Sequence, residues 1–172
     1  SADDCVACPA GAFCSTGAAE PTECSPGTVQ PQAGQGSCTS CEAGTFINAS
    51  GATACFECVA GSFCDSGASA PLPCPSGSFS SETGIGSSAQ CIACPAGSSC
   101  STGSLDHTLC SPGTMQSDVG RGSCAKCDAG KYQHEPGATE CLDCVAGSYC
   151  EEGASAALPC PAGFFSNQTG LG

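Results

Sequence analysis

Residues 8–17 read CPAGAFCSTG, and residues 94–103 read CPAGSSCSTG. The match extends outward: CVAGSFCDSGASAPLPCPSG (58–77) faces CVAGSYCEEGASAALPCPAG (144–163). The first ten cysteines are Cys5, Cys8, Cys14, Cys24, Cys38, Cys41, Cys55, Cys58, Cys64 and Cys74. Adding 86 to each number gives the other ten: Cys91, Cys94, Cys100, Cys110, Cys124, Cys127, Cys141, Cys144, Cys150 and Cys160. No gap is needed, so the 172 residues are two cysteine-rich units, 1–86 and 87–172. Self-similarity at a fixed period marks a repeat architecture, in which each unit is completed by its neighbours.

A finer unit lies inside. Ten cysteines open a Cys-x-x-Gly motif: Cys8, Cys24, Cys41, Cys58, Cys74, Cys94, Cys110, Cys127, Cys144 and Cys160. They alternate with ten that do not. Five residues after the opener stands an aromatic in seven cases, Phe13, Phe46, Phe63, Phe79, Tyr132, Tyr149 and Phe165, with Val29, Met115 and Ser99 in the other three. The glycine supplies the positive φ of a tight turn, and the aromatic is expected to lie against the disulfide as a one-residue core.

Pairing each opener with the next cysteine gives Cys8–Cys14, Cys24–Cys38, Cys41–Cys55, Cys58–Cys64, Cys74–Cys91, Cys94–Cys100, Cys110–Cys124, Cys127–Cys141 and Cys144–Cys150. Cys160 is then left for Cys5 of a following copy. An interlaced pairing, first to third and second to fourth, stays open, because spacing does not fix connectivity. Loops of this size are too small for helices and fit two-stranded hairpins, with Ser, Gly and Asp turns between them. The expected fold class is small and disulfide-rich, mostly irregular with short β-hairpins, drawn out as an elongated rod of tandem modules.

Composition sets the same bounds. Aromatics are 5% and Trp is absent, and much of the 40% hydrophobic content is Ala and Cys. Such a chain would read as disordered without covalent staples. Twenty cysteines, an even count, point to an oxidising compartment, secreted or at the cell surface. The apolar runs are too short to span a membrane, and a signal peptide is expected upstream. The net charge is −13 with three cationic residues, Arg121, Lys126 and Lys131, which leaves no basic face for nucleic acid. FSNQTGLG (165–172) followed by SADDC (1–5) also repeats the internal FSSETGIGSSAQC (79–91). The chain is therefore read as one period of a longer tandem array.

The stretch CPAGAFCSTGAAEPTECSPGTVQPQAGQGSCTSC (8–41), with its C-x-x-C pairs and CxxG[TS][FY] turns, resembles the ephrin-receptor-like cysteine-rich repeats. These are relatives of the cysteine-rich modules of tumour necrosis factor and growth factor receptors, and the likeness covers the whole chain. It implies disulfide-bonded extracellular stalks and ectodomains, abundant in large surface proteins of protists. The short loop from Cys8 to Cys14 departs from the receptor pattern.

Candidate sites are few. Asn48-Ala49-Ser50 and Asn167-Gln168-Thr169 are N-glycosylation sequons, and they hold the only two Asn residues. N-linked glycans are expected there; Ser15, Thr16 and other hydroxyls offer O-glycan positions. The counterparts His134 and Ser81 in the other copy take no N-glycan. The C-x-x-C pairs, such as Cys38/Cys41, have zinc-ribbon spacing, but an all-cysteine array with a CxxG turn at every second Cys reads as disulfides. Asp3, Asp4, Glu20, Glu151 and Glu152 form no calcium-loop motif. Neither His107 nor His134 adjoins a nucleophile motif. No metal, no other cofactor and no enzymatic activity are expected. The functional reading is a structural extracellular glycoprotein forming a rod or filament, of the surface-stalk, fibre or flagellar-hair (mastigoneme) type. Its partners are copies of itself head to tail, with lateral association or a second filament component as further partners. The alternative is a ligand-binding receptor ectodomain.

Overall fold

The structure, a computed structural model, describes residues 5–172. Asp3 and Asp4, weighed above as calcium ligands, lie outside the described residues. Among the described residues, the β structure consists of nine antiparallel hairpins with two residues in each strand. In chain order, β1 (Ala12–Phe13) pairs with β2 (Thr22–Glu23), β3 (Thr28–Val29) with β4 (Thr39–Ser40), and β5 (Thr45–Phe46) with β6 (Phe56–Glu57). Next, β7 (Ser62–Phe63) pairs with β8 (Leu72–Pro73), β9 (Ser78–Phe79) with β10 (Ile92–Ala93), and β11 (Ser98–Ser99) with β12 (Thr108–Leu109). The last three are β13 (Thr114–Met115) with β14 (Ala125–Lys126), β15 (Lys131–Tyr132) with β16 (Leu142–Asp143), and β17 (Ser148–Tyr149) with β18 (Leu158–Pro159). A 3₁₀ turn, Ser88–Gln90, is capped by the Ser87 hydroxyl, which accepts from the Ala89 N–H. The chain divides into two compact units, Ser1–Cys74 with Ser80–Cys91, and Pro75–Phe79 with Ile92–Gly172.

Each hairpin begins at a CxxG turn and ends just before the next one. In every turn the carbonyl after the opening cysteine accepts from the N–H three residues on, as in Thr45 N–H to Glu42 C=O at 3.0 Å. The glycine at the third position, Gly44 here, has φ +90°, the conformation such a turn requires. A hydroxyl at the next position reinforces several turns: Thr45 Oγ1 donates to Glu42 C=O at 2.8 Å.

The interior is made of cystine. Each opener from Cys8 to Cys144 is bridged to the next cysteine along the chain, in nine disulfides. Those nine openers are at most 4% exposed. Among the described residues, the only buried hydrophobics besides cysteines are Ala12, Ile47 and Ile85. The expectation of an aromatic core is corrected here. Phe46, Phe63, Tyr132 and Tyr149 are half-buried, and each pairs across its hairpin with Phe56, Leu72, Leu142 or Leu158. The largest fully buried side chains are cysteines and Ser80 rather than rings.

The backbone is the second structural element. Within each unit, an opener's N–H donates to the preceding CxxG glycine carbonyl, as in Cys58 to Gly44 at 2.8 Å. The same Gly44 donates its N–H to Cys64 C=O at 2.8 Å. Further along, Gly67 returns its N–H to Cys41 C=O at 2.8 Å. The pattern repeats from module to module and satisfies backbone groups that no wide sheet pairs. Reach extends to the second neighbour: the glycines of the turns face a later glycine, Gly11 facing Gly51, Gly44 facing Gly84 and Gly113 facing Gly153.

Long loops carry an additional tie. Six residues after the opener the side chain points inward, and in the short loops it is the second cysteine of the bridge, such as Cys64 or Cys150. In three long loops the position is Gln. Gln133, 6% exposed, donates from Nε2 to Glu140 C=O at 2.8 Å and accepts at Oε1 from Glu135 N–H at 3.0 Å. Gln30 and Gln116 make the same two bonds. Gln133→Ala strips both partners at once and is expected to cost about 1–3 kcal/mol, read as a lower denaturation midpoint in guanidinium. An unchanged midpoint would mean that the Cys127–Cys141 bridge alone orders this loop.

Candidate functional site

Except in Cys5/Cys8, where Cys5 is unpaired, the two cysteines of each C-x-x-C pair belong to different bridges. Cys38 is bonded to Cys24, and Cys41 to Cys55. Consumed in this way, they present no dithiol. No cluster of three or more His, Cys, Asp or Glu side chains is placed to hold a metal ion among the described residues. Two thiols are unpaired: Cys5, exposed, and Cys160, half-buried.

The same two regions leave the backbone pattern open. Cys8 N–H, Cys14 C=O and Gly17 N–H have no backbone partner among the described residues, and neither do Gly163 N–H, Gly163 C=O and Cys160 C=O. Gly147 and Gly163, both CxxG glycines, have open space where Gly44 or Gly113 faces a carbonyl. Phe165 is 89% exposed and Val6 94%, the most exposed large hydrophobics of the described residues. A recess near Val6 is lined by Cys5, Cys14, Ala18 and Pro21.

Charge offers little else. Each cation has an acidic partner: Arg121 with Asp118 at 2.8 Å, Lys126 with Glu152 at 3.3 Å, and Lys131 with Asp143 at 2.6 Å. Lys131 and Asp143 are directly opposite across β15 and β16. The hydrogen bond and charge of Asp143 raise the Lys131 pKa above 10.5. That contribution is present below 10.5 and fades as pH rises through the higher folded value; the pair is exposed, so its effect on stability is small. His107 Nδ1 is 2.9 Å from Asp106 Oδ1, and His134 stacks on Tyr132. Lys126 and Lys131 border an open groove with Met115, Ser117 and Glu140; its counterpart in the first repeat is lined by Val29, Pro31, Ser40 and Thr45.

Asn48 and Asn167 are both exposed, and each lies seven residues after its opener. Exposed aromatic anchors were not evident from the sequence, yet Phe56 is 61% exposed beside Phe46, with ring centroids 6.4 Å apart. Two residue classes escaped the sequence reading. One is the second glycine of each module, Gly84 among them, with φ +68°. The other is the inward Gln at positions 30, 116 and 133. The recurrence of a Gly nine or ten residues after every opener was the available signal for the first.

No family model matches the chain, and no curated protein matches it. No helix among the described residues is long and apolar enough to cross a membrane. What the geometry describes is a heavily disulfide-bonded, cysteine-rich module, a kind typical of secreted and extracellular proteins.

Proposed function

We propose that the chain is a structural extracellular glycoprotein that builds a rod or filament by head-to-tail repetition, without enzymatic activity. One observation carries the reading. The joints between successive modules within each unit are made of the same backbone bonds, from Cys24 N–H to Gly11 C=O in the first unit to Cys160 N–H to Gly147 C=O in the second, both 2.9 Å. Repeating one joint propagates a structure along one dimension, with stability added step by step. Side chains that remain exposed are mostly small and polar, and the exposed sequons at Asn48 and Asn167 suit a hydrated, glycan-bearing surface. The resemblance to ephrin-receptor-like repeats points the same way, toward surface stalks.

Small-angle X-ray scattering of the secreted protein as one, two and three tandem copies tests this. A rod lengthens by an equal increment per copy, so its radius of gyration nearly triples from one copy to three. A compact chain grows roughly 1.5-fold over the same range, and that result would sink the rod. Intact-mass measurement of the same material reads the glycans at Asn48 and Asn167.

A further inference from the structure

We infer that the two unpaired cysteines form a covalent head-to-tail seam, in which Cys160 of one copy bonds to Cys5 of the next and Phe165 enters the recess beside Cys5. This rests on the head-to-tail reading and specifies its contact.

The seam has an internal counterpart for every part. Eighty-six residues earlier, Cys74 is bridged to Cys91; the corresponding pair at the seam is Cys160 with Cys5. Gly77 C=O accepts from Cys94 N–H at 2.9 Å, and Gly77 N–H donates to Cys100 C=O at 2.8 Å. The groups in the same roles at the seam are Gly163 on one copy and Cys8 and Cys14 on the next, all without backbone partners. Phe79 pairs with Ile92 in β9 and β10, bridges to Ser104 and packs on His107 with ring centroids 5.8 Å apart. Its seam counterpart Phe165 would meet Val6, Ala18 and Pro21, and all three line the recess. The two faces are therefore complementary and unlike, a heterologous, head-to-tail contact.

Bond formation requires an oxidant, and a small disulfide such as oxidised glutathione suffices. The Cys160 thiolate attacks it, releasing one glutathione thiolate and leaving a mixed disulfide. The Cys5 thiolate of the next copy attacks the Cys160 sulfur, forming the Cys160–Cys5 bond and expelling the second glutathione. Two protein thiols lose two protons and two electrons, and the glutathione disulfide becomes two thiols.

Two variants separate the faces. Cys5→Ser keeps Cys160, and Cys160→Ser keeps Cys5; neither residue is bridged within the chain, so both variants retain the nine internal disulfides. Mixed in a glutathione redox buffer, they are expected to form a disulfide-linked dimer, with an unreduced digest yielding the Cys160–Cys5 peptide. Each variant alone is expected to remain monomeric. Homodimers that accumulate as readily as the mixed dimer, or no dimer at all, overturn the seam. A third change, Gly163→Ala in the Cys5→Ser chain, places a methyl where Gly77 has none because it faces the Gly120 carbonyl. It is expected to slow linkage about tenfold or more, since a backbone overlap of that kind exceeds one decade of affinity. An unchanged rate would show an adventitious surface thiol only, and overturns the seam as well. The two proposals fail separately. Tandem copies that scatter as rods while the variants do not link leave the rod without this seam. Linked dimers together with compact tandem copies leave the seam without the rod.

Discussion

Gly44→Ala is expected to destabilise the protein by about 2–5 kcal/mol, the sum of a backbone penalty and a backbone collision. Gly44 sits at φ +90°, where a side chain costs about 1–2 kcal/mol. A methyl there would also run into the carbonyl oxygen of Gly84. That carbonyl has no freedom to retreat, because Gly84 is held by its own N–H bond to Cys58 C=O at 2.8 Å. Relief needs a shift of backbone, and overpacking of this kind costs about 1–3 kcal/mol or more. The chain has about 5–15 kcal/mol in total, as folded proteins do, so the loss is large. Gly147→Ala is the comparison. Gly147 occupies the same turn at φ +78° but has nothing within 4 Å, so only the conformational cost of about 1–2 kcal/mol applies. Guanidinium midpoints of the two disulfide-bonded variants, followed by far-UV circular dichroism, read the difference. Equal losses would show that the turn alone demands glycine and that the approach of Gly84 is incidental.

The same pair of glycines shows what was legible in the sequence and what was not. Gly44 belongs to a CxxG motif at fixed spacing from a cysteine, and a turn follows from that spacing directly. The disulfide-rich, short-hairpin fold class follows from the cysteine alternation and from loops too small for helices. Gly84 is harder to see, because its distance from the opener is ten residues in some modules and nine in others, as in Gly67 after Cys58. What fixes it is a neighbour about 40 residues away, and no local pattern reports that. The inward position six residues after the opener is occupied by Cys64, Gln133, Ile47 or Ser80. Four chemistries at one buried position leave no compositional trace. Each works because it is satisfied differently: a bridge, two hydrogen bonds to the loop, apolar burial, or the Ser80 hydroxyl accepting from Glu82 N–H at 3.2 Å. The aromatics misled for a related reason. An aromatic at regular spacing normally marks a core, but here Phe46, Phe63, Tyr132 and Tyr149 stay half-buried while cysteines take the fully buried positions. The open faces near Cys5 and Cys160 were visible only as two cysteines without partners; the recess at Ala18 and Pro21 needed coordinates.

Complete reduction is expected to unfold the chain in the absence of any denaturant. The argument begins from what would remain. Without the bridges the buried apolar residues among those described are the cysteines themselves, with Ala12, Ile47 and Ile85, far too little area to offset the chain entropy of ordering the rest. The two-residue hairpins have no stability of their own. The bridges close sequence separations of 6, 14 or 17 residues, and each restricts the unfolded chain by about 2–3 kcal/mol. Losing a few of the nine already matches the total stability of an ordinary domain. The loss should also be cooperative along each unit, because every module donates hydrogen bonds to the next and a melted module strips its neighbour of partners. Treatment with excess dithiothreitol at neutral pH, followed by circular dichroism and by the reactivity of the Cys58 and Cys94 thiols toward a small alkylating reagent, tests this. Both cysteines are 0% exposed in the folded chain. Rapid modification with a coil spectrum is the expected result. A reduced chain that kept its spectrum and protected these thiols would mean that the backbone bonds between modules, rather than the disulfides, hold the fold.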